Sequence, residues 1–195
     1  PRMTRIVSID LFLETQSPTE AEVRLIRACQ AGERCTLSQT RPTEPLLINE
    51  VGADLIRFLF SGGTQNCGLH ESGVWVEGAW ISGQLDLRFL KGKGRLALDR
   101  CHFEKEPHLE HARLDQLSFD GCKLPGLHAA YIEVSGAVFL RSVEATSTVD
   151  LRGARIEGQL QFYGASLHGG GYDALNCQNI VVVDGLYFRN LKEVN

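Results

Sequence analysis

Between Ala112 and Leu127 the chain falls into consecutive fives: Ala112-Arg-Leu114-Asp-Gln, Leu117-Ser-Phe119-Asp-Gly, Cys122-Lys-Leu124-Pro-Gly, then Leu127. Each five opens on a small or apolar residue and carries a large apolar residue two places on. Alternation over three residues, broken by a polar pair and restarted, describes short strands joined by tight corners, not a helix or a long strand. From Val74 onward the fives close into four-sided coils. Side-opening residues Val74, Leu96, Leu117, Val138, Leu160 and Leu186 recur every 21 or 22 residues, apart from a longer last step that contains Gly169-Gly170-Gly171. Their inward partners are Val76, Leu98, Phe119, Leu140, Phe162 and Phe188. The second side reads Ala79/Ile81, Cys101/Phe103, Cys122/Leu124, Val143/Ala145 and Ala165/Leu167. The third reads Leu85/Leu87, Pro107/Leu109, Leu127/Ala129 and Val149/Leu151, and the fourth Leu90, Ala112/Leu114, Ile132/Val134, Ala154/Ile156 and Ile180/Val182. The predicted fold is a mainly β solenoid of about five to six coils, stacked about 4.8 Å apart into a rod of about 25 to 29 Å.

Ahead of the coils the pattern changes period. Thr4 to Leu13 alternates loosely and predicts a strand. Ser17 is placed to N-cap a helix with Pro18 at its first position and Glu20 closing a capping box, and Val23, Leu25, Ile26 and Cys29 recur at helical spacing until Gly32. After a connector from Thr36 to Pro45, a second helix is predicted from Asn49 to Phe60, stopped by Ser61-Gly62-Gly63. The chain thus divides into a helical N-terminal cap with connectors, residues 1–70, and a solenoid, residues 71–195. The cap is expected to cover the first open coil, whose strand edges would otherwise be exposed.

Composition narrows the function. A chain of 195 residues with 43% hydrophobic content buries a real core, and a formal net charge of -4 with interspersed signs gives no basic footprint for nucleic acid or a membrane. The sequence contains no apolar run of the roughly 20 residues a span needs and no signal-peptide pattern, so a cytoplasmic location is expected. The six cysteines are expected to be reduced. Met3 is the only methionine, and native sequence is expected to start there, with Pro1-Arg2 left from cloning.

The fives resemble those of pentapeptide-repeat proteins, in a degenerate form with single residues such as Gln159 inserted between them. The resemblance implies a right-handed quadrilateral β-helix with the central Leu or Phe and the small residue before it pointing inward. A closer likeness covers about 140 residues, carried by Asp54-Leu-Ile56-Arg57, Ser72-Gly-Val-Trp-Val-Glu-Gly78-Ala79-Trp-Ile81-Ser-Gly83-Gln-Leu85-Asp86-Leu87, Gly153-Ala-Arg-Ile-Glu-Gly-Gln-Leu160 and Tyr172-Asp-Ala174-Leu175-Asn176. These segments are similar to a group of uncharacterised bacterial proteins with Gly-Ala-x-Ile-x-Gly-x-Leu-x-Leu coils, some labelled membrane-associated oxidoreductase. Neither a cofactor motif nor a transmembrane run in this chain supports that label, and likeness of fold does not carry function. Relatives of this kind continue with further coils, so the C-terminal end reads as an open edge, a truncation or a docking surface.

Residues between the two inward positions point out. Face three stacks Asp86, His108, His128, Asp150 and Asn176, where adjacent imidazoles flanked by carboxylates suit a divalent metal through Asp86, His108, His128 and Asp150, or form a solvated polar face, which is the reading favoured. Cys67-x-x-His70 has the spacing of half a zinc site without a second pair. Cys101 and Cys122 take the same inward position in successive coils and are expected to be free thiols packed as small hydrophobes. Gly169-Gly170-Gly171 lacks the Gly-Lys-Ser/Thr of a phosphate loop and reads as an excursion from the coil, and Lys91-Gly-Lys93-Gly94 reads as a surface turn. No nucleophile with a nameable base is present. Outward aromatics Trp75, Phe139 and Tyr187 on face one, and Trp80 on face two, are candidates for a partner surface, with burial under the cap as the alternative for Trp75 and Trp80 in the first coil.

The expected function is a non-catalytic interaction or scaffold module with no cofactor, which contacts a protein partner through Trp75, Trp80, Phe139 and Tyr187 or associates with itself through the C-terminal coil. One alternative is a DNA-mimicking topoisomerase binder, against which Arg113 and Arg155 beside Glu133, and Lys123 before Glu144, place basic residues on the faces that would have to be acidic. The other is an enzyme, metal-dependent through the face-three residues or an oxidoreductase.

Overall fold

A computed structural model describes residue 6, residues 8–64 and residues 67–194. Four parallel sheets wind into a β-solenoid of about five turns. The coil openers pair as their spacing predicts, with Val74 beside Leu96, Leu96 beside Leu117, Leu117 beside Val138, Val138 beside Leu160 and Leu160 beside Leu186. The same holds on the other sides, where Ile81 pairs with Phe103, Leu127 with Val149 and Ile132's neighbour Glu133 with Arg155. Leu98, Phe119, Leu140 and Phe162 are fully buried, and they belong to one continuous apolar cluster that runs from the cap into the last coils. The strands are as short as two residues because each side must turn before a third inward residue can be placed.

Two corners of each coil are closed by one residue with left-handed φ. Gly78, Arg100, Gly121, Ser142, Gly164 and Asn190 form the column between the first and second faces. Phe89, His111, Tyr131, Gly153 and Asn179 form the column between the third and fourth. From Gly78 to Gly164 in the first column and from Phe89 to Gly153 in the second, each corner N–H donates to a carbonyl of the following coil, as from Arg100 to Asp120 at 2.6 Å and from Tyr131 to Arg152 at 2.8 Å, so the reversal satisfies the backbone it would otherwise leave bare.

The cap departs from expectation in detail. Thr4, Arg5 and Val7 lie outside the described residues, and the expected strand is from Ile9 onward a helix, α1 (Ile9–Thr15), N-capped by Ser8. Ile9 and Phe12 are buried while Leu11 and Leu13 face water, a spacing of three and not of two. Helix α2 (Glu20–Ala31) is capped by Thr19 and not Ser17, with Glu22 and not Glu20 closing the box, and it stops at Gly32 as predicted. The choice is tertiary: the Thr19 hydroxyl donates to the Glu50 carbonyl at 2.7 Å, and Glu22 Oε1 accepts the Gly52 N–H at 3.0 Å. Residues 50–52 are accordingly a strand, paired with Trp80–Ser82, and helix α3 begins only at Ala53 and runs to Phe60. With Cys35–Thr36 on Gly73–Glu77, the connectors add one strand each to the first two sheets and so cover the edges of the first coil. Gly92, expected in a surface turn, forms part of the seat of this cap: a Cβ there would lie 2.1 Å from the buried Phe60 ring.

Candidate functional site

Face three is built as its register predicts. Asp86 bridges to His108, His108 to His128, and the next strands pair His128 with Asp150 and Asp150 with Asn176. Both histidines are held from either side: His108 N–H donates to Leu85 at 2.8 Å and its carbonyl accepts from Leu87 at 2.7 Å, while His128 N–H donates to Pro107 at 3.0 Å and its carbonyl accepts from Leu109 at 2.6 Å. Their ring centroids are 4.6 Å apart, the spacing of neighbouring coils.

The carboxylates that join them are not the ones the ladder supplies. Asp86 is forked by Arg88, Nε at 2.9 Å and Nη2 at 2.6 Å, and that guanidinium holds its carboxyl at about 2. Asp150 Oδ1 accepts the Arg152 N–H at 3.0 Å, with the Arg152 guanidinium 3.5 Å from Oδ2. Glu106, from the corner before Pro107, instead places Oε2 2.7 Å from His128 Nε2. Ligand atoms of Glu106, His108 and His128 all lie within 4.8 Å of one another, and all three side chains are part-exposed. Glu110 brings Oε1 to 3.7 Å from His108 Nδ1.

The aromatic candidates are partly covered. Trp75 lies between the guanidinium groups of Arg34 and Arg95, at 5.2 and 4.8 Å from its ring centre. Trp80 stacks on His102 at 4.0 Å, Arg141 lies over Phe139 at 4.8 Å, and Tyr187 sits 6.2 Å from Tyr163. A more open aromatic column was missed: Phe89, His111 and Tyr131 stack nearly parallel, at 4.9 and 5.1 Å, with Phe89 75% and Tyr131 48% exposed. Its signal was available in the spacing, since the three recur at one corner position.

All six cysteines are free. Cys122 is fully buried beside Cys101, its thiol donates to the Leu98 carbonyl at 2.8 Å, and burial pushes its pKa up. Burial likewise pushes Cys29 to about 12 and Cys35 to about 11, which leaves them unionised and poor nucleophiles. Cys67 and His70 are engaged locally, the thiol 3.0 Å from Thr64 Oγ1 and the imidazole Nδ1 3.1 Å from Ser72 Oγ. Charges on the other faces alternate, with Arg113 Nε 2.9 Å from Glu133 Oε2 and Arg41 Nη2 2.7 Å from Glu144 Oε2. Among the described residues no helix is long and apolar enough to cross a membrane.

The last coil exposes what earlier coils hide. Leu186 and Phe188, at inward positions whose counterparts are fully buried, are 46% and 38% exposed, and Val183 and Val194 beside them are exposed as well. Compared with protein-family models, with curated proteins and with solved structures, the chain finds no match in any of the three.

Proposed function

We propose that the chain is a non-catalytic interaction scaffold on a right-handed, pentapeptide-repeat-like β-helix. The observation that carries this reading is the open aromatic column of Phe89, His111 and Tyr131 along one corner of the solenoid, with Phe89 75% and Tyr131 48% exposed. Leu186 and Phe188, 46% and 38% exposed in the last coil described, belong to an apolar surface that a solenoid covers with another coil or with a partner. The first coil is covered by the helices and by the two added strands. Lateral contacts fall to Phe89 and Tyr131 more than to Trp75, Trp80, Phe139 and Tyr187, whose rings are already in contact with arginines, His102 or Tyr163. The interleaved Arg113, Glu133 and Arg155 weigh against DNA mimicry.

The test is sedimentation equilibrium of the chain against the double variant Phe89→Ser/Tyr131→Ser. Concentration-dependent association of the wild type, abolished in a variant that keeps its far-ultraviolet circular dichroism, is the expected result. A wild type that stays monomeric at high concentration defeats self-association through this column.

A further inference from the structure

We propose that Glu106, His108 and His128 form a binding site for a first-row divalent cation of the zinc class. The donors are two imidazoles and one carboxylate, the set such ions take when three protein groups bind and water completes the shell. Their ligand atoms lie within 4.8 Å of one another, against about 3.3 Å between donors around a tetrahedral zinc with bonds near 2.0 to 2.1 Å. Rotation of part-exposed side chains closes that gap without moving the backbone, which the parallel register holds on both sides of each histidine.

Two features point to more than a chance ion pair. Gly126 lies beneath Glu106, where a Cβ would sit 2.8 Å from Glu106 Oε1, so the missing side chain is what lets the carboxylate lie across the next coil toward His128. Beside His108, Glu110 Oε2 is buried with no hydrogen-bond partner, while its other oxygen is 3.7 Å from His108 Nδ1. At 3.7 Å this is a charge contact and not a hydrogen bond, and a small ring rotation would convert it into the carboxylate–imidazole pair usual behind histidine-bound metals. Arg88 on Asp86 and Arg152 on Asp150 occupy the flanking carboxylates, which confines the open donors to this trio.

Tag-free protein stripped with chelator and kept reduced is titrated with zinc chloride by calorimetry near neutral pH, and with cobalt chloride by visible absorption. The expected result is about one equivalent of zinc bound in the micromolar range, weakened about tenfold or more by His128→Ala, by Glu106→Gln and by Gly126→Ala. His102→Ala, on another face, leaves binding unchanged. Amide chemical shifts of the wild type report the place directly, and the zinc-induced changes should centre on residues 106, 108 and 128. No uptake, uptake indifferent to all three substitutions, or shifts centred elsewhere would each overturn the assignment.

Discussion

Gly92→Ala is the sharpest perturbation of the seam between cap and solenoid. The new Cβ would stand 2.1 Å from Phe60 Cζ and 2.2 Å from Cε1, where ordinary carbon contacts lie at about 3.5 to 4.0 Å. Neither side yields easily. Gly92 N–H donates to Arg113 at 2.9 Å, Lys93 N–H donates to the Phe60 carbonyl at 3.2 Å, and the Phe60 ring is fully buried at the end of α3. Overpacking of this kind costs about 1 to 3 kcal/mol, and an overlap of roughly 1.5 Å on an immobile ring belongs at the upper end. In urea melts, with a slope of about 2 to 3 kcal/mol/M for a chain of this size, the midpoint should fall by about 1 M. Phe60→Leu alone should cost about 1 kcal/mol in lost burial, yet it removes the ring atoms that the new methyl meets. The double variant should therefore be more stable than the sum of the two losses implies, by about 1 to 2 kcal/mol. Amide exchange of α3 should report the same order of stability. A Gly92→Ala protein within about 0.3 kcal/mol of wild type, or strictly additive losses, would refute the proposed seating of the cap.

Phe119→Ala in a central coil should cost about 3 to 5 kcal/mol and Phe188→Ala well under half of that, since only the first ring is fully buried; equal losses in urea melts would contradict the open last coil. Arg88→Gln should raise the Asp86 pKa from about 2 toward its ordinary 3.8, measured by carboxyl carbon NMR. Because the folded value is the lower one, whatever stability this pair contributes is present above the unfolded pKa and is lost as pH falls toward 2, and an Asp86 unmoved by the substitution would remove Arg88 as the cause. With Cys29 at about 12, Cys35 and Cys177 at about 11 and Cys122 also raised, a thiol reagent at about pH 8 should label the native chain slowly and all six cysteines once it is unfolded. Rapid native labelling of most of them would contradict the burial described.

The solenoid was legible because its signal is repeated. Each inward pair, such as Leu117 and Phe119, is weak evidence of a strand alone, but a recurrence of 21 or 22 residues tests every pair against its neighbours, and the observed register follows it even across Pro107. The cap offered no such repetition. Ser17-x-x-Glu20 and Thr19-x-x-Glu22 are overlapping capping boxes, and what selects the second is a pair of contacts to Glu50 and Gly52, about thirty residues away. Ile9, Leu11 and Leu13 alternate on paper, but packing uses Ile9 and Phe12. The face-three site was half legible for a related reason. Histidines on successive rungs follow from the repeat, whereas Glu106 sits at a corner, where side-chain direction depends on the gap that Gly126 leaves in the next coil.

The two columns of left-handed corners set the unit in which such a chain can grow. An insertion or deletion inside a coil transfers the positive φ to a neighbouring residue and turns the following inward side chains out, two faults from one event. Duplication or loss of a whole coil disturbs neither column. Gain and loss should therefore proceed in steps of one circuit, with shorter insertions confined to the remaining corners, as at Gly169-Gly170-Gly171 between the second and third faces. For engineering, a copied coil such as residues 117–137 is the natural module for changing the length of the rod, because its outgoing edge already matches the incoming edge of the next.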